Sequence, residues 1–396
     1  MNLWITITMI DLIHKYEQKL YQTGLVGSGN ALIGALDDTC VWNQSHERMA
    51  DLEYILKQLP VNAIIFAPPA FPYGSIIEYL SANNRDAIRP QDTESRTFLH
   101  ELPILRQWDC NQIIAALSHR KAVIIPQMGV IASGALTPEQ AFVVYSSVCF
   151  ACFVSFFLEK IQHAHEKKLT NNALDTIYEL LQQYSELPSD LPCLTKGPFQ
   201  TIDDVYDAIK EAGYYTVFYG LVDSYFGNVS YRQNDILYIS QTASSLDELS
   251  GCIDPCPLDG SSCAAITASS EFSAHKQIVL NNQFKAILHG HPKFSVVLSM
   301  FCTDRNICKN RNQCHTHCSG NRKIEGIPII PGEVGCGPYG LVHTLPKAFH
   351  DSKAVIVYGH GVFTVGEVDF ISAFQRLAST ETMCQEKYLK WIQNFI

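Results

Sequence analysis

Basic residues are scarce in this sequence relative to acidic ones, and charged residues of both signs are few. The 396-residue chain has 29 Lys and Arg against 39 Asp and Glu, a formal net charge of −10 and a charged fraction of 17%. No stripe of Lys or Arg is available to neutralise phosphates along a nucleic acid, which excludes that class of partner. A hydrophobic fraction of 47% excludes an intrinsically disordered chain. We expect a globular protein of two domains that acts on a small molecule.

The first twenty residues lack the features of an export signal. They contain no basic n-region and no small-residue cleavage site, so we expect them to form a helix. The 14 cysteines then indicate a reducing compartment, where clustered thiols are metal ligands or small buried hydrophobes more often than disulfides. The cytoplasm is the expected location.

Long apolar runs are also lacking, with one exception. Residues 141–158 read AFVVYSSVCFACFVSFFL, which is nearly the length of a bilayer span. The Ser and Cys content of this run and its charged exit at Glu159 and Lys160 favour a buried core or interface helix. We therefore expect no membrane partner.

Two histidines lie one residue apart after an apolar run in AILHGHPKF, residues 286–294. In a β-strand, residues i and i+2 point to the same face, so His289 and His291 would lie side by side at the end of a buried strand. That geometry suits a metal ion. Since the chain has 14 His, the pattern by itself also fits two packing histidines.

The chain contains an internal repeat. AIIFAPPAF (63–71) aligns with AILHGHPKF at an offset of 223 residues, and AVIIPQMGVIASG (122–134) aligns with AVIVYGHGVFTVG (354–366) at an offset of 232. GLVGSGN (24–30) resembles GLVDSYFGN (220–228), beginning at an offset of 196. Three matches in the same order predict a duplicated domain.

We predict a first copy over residues 8–165, a helical and Pro-rich linker over 166–199, and a second copy over 200–396. Three histidines of the second copy fall opposite apolar residues of the first: His289, His291 and His360 opposite Phe66, Pro68 and Met128. Since all three differ together, they indicate one shared function. The second copy is therefore predicted to bind a metal, and the first to lack its ligands.

Several motifs of the second copy occur in order between about Thr201 and Trp391. They are GLVDSYFGNVSYR, ISQTASSLDEL, SSEFSAH, HGHP and GHGVFTVG. As a set they resemble the class II aldolase/adducin family, with its G-N-x-S turn, phosphate loop, S-S-E segment and three histidines. The resemblance implies an α/β fold of two tandem domains, each with a central, mainly antiparallel sheet flanked by helices.

The resemblance also implies a role for each site residue. His289, His291 and His360 would hold Zn²⁺ or another divalent metal, with a position open for substrate. Such a metal polarises a ketose so that an enediolate can form, and Glu271 would take and return the proton. The substrate phosphate would be bound by four small polar residues: Asn228, Thr242, Ser269 and Ser270. Ser270 is also expected to be the N-cap of the following helix.

The implied function is a metal-dependent lyase that cleaves a carbon–carbon bond of a small phosphorylated sugar, a ketose. Two departures from the family pattern bear on it. Ala243 follows Thr242 where the family often has Gly, and residues 303–318 contain no Tyr to match the proton donor of the fuculose-phosphate aldolases. Epimerase or dehydratase chemistry at the same site, and a non-catalytic adducin-like interaction protein, are the alternatives. Retention of Glu271 with all three histidines favours an enzyme.

A cysteine-rich insert follows the H-x-H pair. Its thiols are those of Cys302, Cys308, Cys314 and Cys318. Their spacing of five, five and three residues matches neither a standard zinc finger nor a ferredoxin pattern. A second metal or iron–sulfur site, loop packing and redox-active thiols all stay open for this insert.

The resemblance has a consequence for assembly. Family members typically form cyclic tetramers with each active site near a subunit boundary. A chain with two fused copies is therefore expected to complete the same ring as a homodimer. In that arrangement, the copy without metal ligands would contribute walls to the site of the other.

Overall fold

The computed structural model of the chain describes residues 8–183, 187, 190–223, 225–261, 266–318 and 320–395. The chain divides into two compact units, Met1–Phe156 and Phe157–Ile396. The predicted mixed α/β fold is confirmed, since each unit contains a β-sheet and several helices.

The first unit is built around an antiparallel sheet. Its helices are α1 (Met9–Gln22), α2 (Met49–Gln58), α3 (Tyr73–Asn83), α4 (Thr93–Leu99), α5 (Cys110–Leu117) and most of α6 (Pro138–His165). Its strands are β1 (Leu32–Leu36), β2 (Cys40–Trp42), β3 (Ala63–Ala67), β4 (Ala87–Ile88), β5 (Leu102–Pro103), β6 (Ala122–Ile125) and β7 (Gly129–Gly134). Five strands pair in the order β2-β1-β3-β7-β6, and β4 pairs with β5.

The second unit has a wider sheet. Its further helices are α7 (Asn171–Gln183), α8 (Ile202–Phe218), α9 (Phe272–Asn281), α10 (Lys293–Met300), α11 (Leu341–Ala348) and α12 (Ile371–Phe395). Its strands are β8 (Asn228–Gln233), β9 (Ile236–Ser240), β10 (Ile253–Pro257), β11 (Ala286–Gly290), β12 (Arg322–Ile324), β13 (Ile327–Ile330), β14 (Ala354–Val357) and β15 (Gly361–Gly366). The order is β10-β9-β8-β11-β15-β14-β13-β12, and only the β13–β14 pair is parallel.

Strand β11 lies in the interior of this sheet, between β8 and β15. Every residue of β11 and of β15 is buried, which explains why both read as almost continuous apolar runs instead of alternating patterns. On one face, Ile287 and Phe363 pack into a cluster with residues of α9 and α11. The histidines at the end of β11 therefore stand on a rigid, fully paired strand.

The two sheets share a strand order. The order β2-β1-β3-β7-β6 in the first unit matches β9-β8-β11-β15-β14 in the second, and all of these pairs are antiparallel. The registers also match: Ala63 lies opposite Gly134, and Ala286 lies opposite Gly366. In the neighbouring pair, Leu32 opposite Phe66 corresponds to Asn228 opposite His289.

The apolar run at residues 141–158 lies within helix α6. This helix is long and apolar enough to cross a membrane, and 94% of its most apolar window is buried inside the structure. Such burial is that of a core helix, in agreement with the interpretation that the sequence favours.

The division between the compact units does not coincide with the predicted linker. It falls between Phe156 and Phe157, within α6, whereas residues 166–199 contain α7 and lie wholly in the second unit. The bounds 8–165 and 200–396 of the two copies stay a prediction.

Candidate metal centre

Three buried histidines meet at one end of the second sheet. His289 is in β11, His291 directly follows this strand, and His360 lies in the turn between β14 and β15. The pairing of β11 with β15 places that turn beside the end of β11. One ring nitrogen from each histidine lies within 4.8 Å of the other two, and the Nε2 atoms of His289 and His291 are 2.9 Å apart.

The orientation of the imidazole rings is set by their neighbours. Nδ1 of His289 is 3.0 Å from the carbonyl oxygen of Val362 and donates to it, so its Nε2 presents a lone pair to the cluster. The ring of Phe363 stacks on His289 with centroids 3.8 Å apart, and Phe226 stacks on His291 at 5.6 Å. Sequence reasoning did not identify these two aromatic residues, although Phe226 directly precedes the Gly-Asn pair.

Two glycines allow the backbone to come close to these rings. A Cβ atom on Gly361 would lie 2.8 Å from ring carbons of both His289 and His291. A Cβ atom on Gly227, where φ is +104°, would lie 2.5 Å from the carbonyl oxygen of His289. Both positions therefore require glycine for close packing around the histidines.

Glu271 is buried and faces the histidines. Its Oε1 is 2.9 Å from Nε2 of His360, and its Oε2 is 3.5 Å from Nε2 of His289. Asn228 Nδ2 donates to Oε2 at 2.6 Å. Burial alone would raise the pKa of Glu271, but the two histidines and the bond from Asn228 together hold it well below its ordinary value. The side chain is therefore an ionised carboxylate.

The residues at this site fit a divalent cation. Burial lowers the pKa of His291 well below its ordinary value, and His289 and His360 lower it further, so its ring is neutral as a metal ligand requires. Imidazole lone pairs and a carboxylate converge in a region shielded from water, where an uncompensated charge is costly. Three histidine nitrogens with an adjacent carboxylate are ligands suited to Zn²⁺ and similar ions.

Two of the predicted phosphate ligands are buried beside Glu271. Asn228 begins β8, and its Oδ1 is a buried oxygen that has no hydrogen-bond partner among the described residues. Ser269 Oγ accepts the backbone N–H of Glu271 at 3.3 Å. Asn228 thus lies next to the carboxylate of Glu271, and Ser269 lies next to the backbone of Glu271.

The other two, Thr242 and Ser270, are exposed and lie on neighbouring loops. A β-bridge between Gln241 and Ala268 joins these loops. Ala243 has a φ of +56°, in the left-handed region that favours glycine. A non-glycine residue costs about 1–2 kcal/mol there, which gives a physical reason for the family's preference for Gly at this point. Phosphate binding by these four residues stays a prediction.

Ser270 is not a helix cap. Helix α9 begins at Phe272 with Glu271 at the N-cap position and no side-chain capping bond, so that prediction is wrong. The carboxylate of Glu271 is instead engaged by Asn228 and His360. At this helix end, the contacts of the site and not a local capping bond determine where the side chain points.

His275, for which the sequence indicates no function, is completely buried next to the site. One of its ring nitrogens is 2.7 Å from Ser230 Oγ, and its ring meets Phe363 edge to face. Burial lowers the pKa of His275 to about 3, although Glu271 opposes this shift. It is therefore a neutral core histidine behind the three clustered histidines.

The cysteine insert does not form a comparable cluster. Within the described part of the chain, the three histidines are the one group of three or more residues found whose metal-ligating atoms all lie within 4.8 Å of one another. Cys302, Cys308, Cys314 and Cys318 are free, partly buried thiols. Burial raises the pKa of Cys314, chiefly by disfavouring the thiolate that a metal would require. The geometry does not support an iron–sulfur site, and a second metal stays a prediction.

Comparison with known proteins shows a family match in the C-terminal half. Residues 207–388 match the family described as Class II Aldolase and Adducin N-terminal domain. The C-terminal half contains a class II aldolase/adducin domain. L-fuculose phosphate aldolase from Methanococcus maripaludis is 27% identical over 169 residues, which are 41% of this chain and 84% of the relative.

Solved structures are similar over about half of the chain. L-fuculose-1-phosphate aldolase from Thermus thermophilus is 20% identical, with 47% of this chain and 94% of that chain covered and a TM-score of 0.38. A sugar-phosphate aldolase from Thermotoga maritima is also 20% identical, with 48% and 95% covered and a TM-score of 0.35. The match to the class II aldolase/adducin domain includes Asn228, Glu271 and all three histidines, whereas the first unit lies outside it.

Proposed function

We propose that the C-terminal unit is a metal-dependent lyase that cleaves a carbon–carbon bond of a small phosphorylated sugar through an enediolate. The observation that carries the proposal is the buried contact of Glu271 with His360 and His289 at the end of β11. The relationship to L-fuculose phosphate aldolase supports the substrate class.

Each residue has a defined task in this proposal. His289, His291 and His360 would hold the metal, which supplies Lewis-acid polarisation of the substrate carbonyl. Glu271 takes the proton of the hydroxyl whose carbon becomes the aldehyde, the adjacent carbon–carbon bond breaks to leave the enediolate, and Glu271 then delivers that proton to the enediolate carbon. Asn228 keeps Oε2 of that carboxylate in place. Since these groups are all buried, little water is available to compete in the proton transfer.

A second candidate is an epimerase or dehydratase that uses the same residues. The observation in its favour is the absence of Tyr between residues 303 and 318, where the fuculose-phosphate aldolases carry a proton donor. Removal of a proton from the carbon adjacent to the carbonyl would start either of these reactions, with Glu271 as the base.

We further propose that the first unit is a degenerate copy of the second, and that the chain forms a homodimer. The shared strand order and the matching registers of the two sheets support the duplication. Phe66 takes the place of His289 in that register, so the first copy keeps the sheet without the metal ligands.

Elemental analysis of the purified chain combined with a screen of phosphorylated ketoses tests the function. Release of a ketone or aldehyde fragment identifies a lyase, whereas an isomer or a dehydrated product identifies the alternatives. A matched preparation with His289, His291 and His360 changed to Ala should contain no tightly bound metal. An unchanged metal content in that variant would remove the basis of the proposal.

A further inference from the structure

The start of helix α10 is held by a carboxylate from a distant helix. Glu381 of α12 accepts the backbone N–H of Phe294 at 2.7 Å with Oε1 and that of Ser295 at 2.9 Å with Oε2. Ser295 Oγ also donates to Oε2 at 2.8 Å. The residue at the N-cap position, Pro292, makes no side-chain capping bond, so Glu381 supplies the missing acceptor. Metal-ligand candidate His291 directly precedes Pro292.

The same helix holds the turn that carries His360. Ser299 Oγ accepts the backbone N–H of Gly359 at 2.8 Å and donates to the carbonyl of Val296 at 2.7 Å. Arg322 donates to the carbonyl of Ser299 at 2.7 Å, at the C-terminal end of the helix. With a carboxylate at its first turn and a guanidinium at its last, α10 is stabilised at both ends of its dipole.

We propose that Glu381 is a positioning residue for the metal centre, acting through α10 on His291 and on the turn that bears His360. This inference rests on the proposed function. The backbone that follows His291 is restrained, because the N–H groups of Phe294 and Ser295 both donate to the buried carboxylate of Glu381. Displacement of α10 would also move Ser299, which bonds the residue before His360.

The first unit supports a link between this carboxylate and the histidines. At the offset of 232 residues that relates β15 to β7, Glu381 falls opposite Cys149 of α6, a buried residue without charge. A buried carboxylate carries a desolvation cost even when it is hydrogen-bonded. The unit that has Phe66 and Met128 in place of His289 and His360 therefore also lacks this carboxylate, whereas the unit with the histidines has it.

Metal affinity of the full-length Glu381→Gln variant tests the proposal. The amide keeps the shape of the side chain but loses the charge and one acceptor. We expect Zn²⁺ and Co²⁺ to bind about 10- to 100-fold more weakly, as is usual for loss of an outer-shell partner, with a changed visible spectrum of the Co²⁺ form. Ser295→Ala, which removes only the hydroxyl, should give a smaller loss.

Two controls separate positioning from general stability. Glu386→Gln changes an exposed carboxylate on the same helix and should leave affinity and spectrum unchanged. Leu249→Ala truncates a buried apolar side chain in the segment that connects β9 to β10, and it should lower the thermal midpoint without altering the Co²⁺ spectrum. The inference about Glu381 would be wrong if Glu381→Gln had wild-type affinity and spectrum, or if Leu249→Ala changed the spectrum equally. Either result would leave the proposed function untouched. A wild-type chain that binds no divalent metal would overturn the proposed function as well.

Discussion

The two units have sheets of the same strand order but carry different side chains at equivalent positions. Phe66 in the first unit and His289 in the second occupy the same register position, and both are buried, with exposed fractions of 6% and 1%. Phe66 meets the edge of Trp108 at 5.2 Å and packs in one cluster with Met128, whereas His289 meets His360. The apolar side chains of the first unit are stabilised by burial itself, whereas the imidazoles and the carboxylate of the second unit are polar groups that are costly to bury without partners.

This comparison separates the sheet from the chemistry that it carries. The strand order and registers are the same whether the central strand carries Phe66 or His289. The fold therefore does not require a histidine at the end of that strand. The function therefore resides in the side chains of the site and not in the fold, and exchanging single residues between the units tests this directly.

The largest effect is expected from His289→Phe, which gives the second unit the side chain of the first. Because one of the three proposed metal ligands is removed, metal affinity should fall by more than the roughly 10- to 100-fold that loss of an outer-shell partner costs. Activity should be lost with it, while circular dichroism shows a retained fold. Metal content after dialysis is the measurement. His343→Ala, an exposed histidine of α11, is the control, and equal metal content in both variants would contradict the assignment.

Glu271→Gln should retain the metal and lose about 10²-fold or more in rate, since it removes the proton-transfer group and not a histidine ligand. Turnover of the phosphorylated ketose and metal content are measured on the same sample. Glu367→Gln, an exposed carboxylate, should be unaffected. Full activity in Glu271→Gln would show that another residue transfers the proton.

Asn228→Leu introduces the residue that the first unit has at this register position. It removes the donor to Glu271, and a hydrogen bond to a charged group is worth about 1.5–3 kcal/mol, or roughly 10- to 150-fold in rate. The decrease should appear in kcat/KM with metal content unchanged. Asn281→Leu, whose amide bonds only within α9, is the control. An equal effect in both variants would mean that the bond to Glu271 has no part in catalysis.

The smallest effect concerns a turn that the units share. Gln127 has a φ of +64°, and its counterpart at the offset of 232, Gly359, has a φ of +60°. Gln127→Gly should raise the free energy of unfolding of the first unit by up to about 1 kcal/mol, since glycine adopts this conformation without strain. Urea unfolding measures the change. Ala116→Gly in helix α5 should instead destabilise by about 1 kcal/mol, and destabilisation by Gln127→Gly would contradict the comparison.

Much of the candidate site could be predicted because its residues lie in short, regular patterns. The period-two geometry of a strand places His289 and His291 together, and the repeat added His360. Glu271 and Asn228 came from the family resemblance, and the structure brings both to the histidines. The N-cap at Ser270 was wrong because the side chain of Glu271 is directed to the site and not to its own helix.

Other features had no local sequence signal. Glu381 lies about ninety residues from His291 in the chain. Its local sequence does not distinguish it from the exposed Glu386. Its function as an acceptor for the first turn of α10 depends on where α12 packs. The clustering of four thiols in the insert left a second metal open although their spacing is not a standard one, and closeness in sequence does not decide whether sulfur atoms reach coordination distance.

The sequence by itself determined the α/β class, the repeated motifs and the identity of the histidines, because strand periodicity and residue chemistry are local properties. Only the tertiary structure decided that Glu271 turns toward His360, that Phe226 and Phe363 cover the imidazoles, and that Glu381 holds α10. Each of these contacts joins segments far apart in the chain. Their geometry follows from the packing of the whole unit, because hydrophobic burial is non-directional and the buried polar groups must then find partners where packing places them.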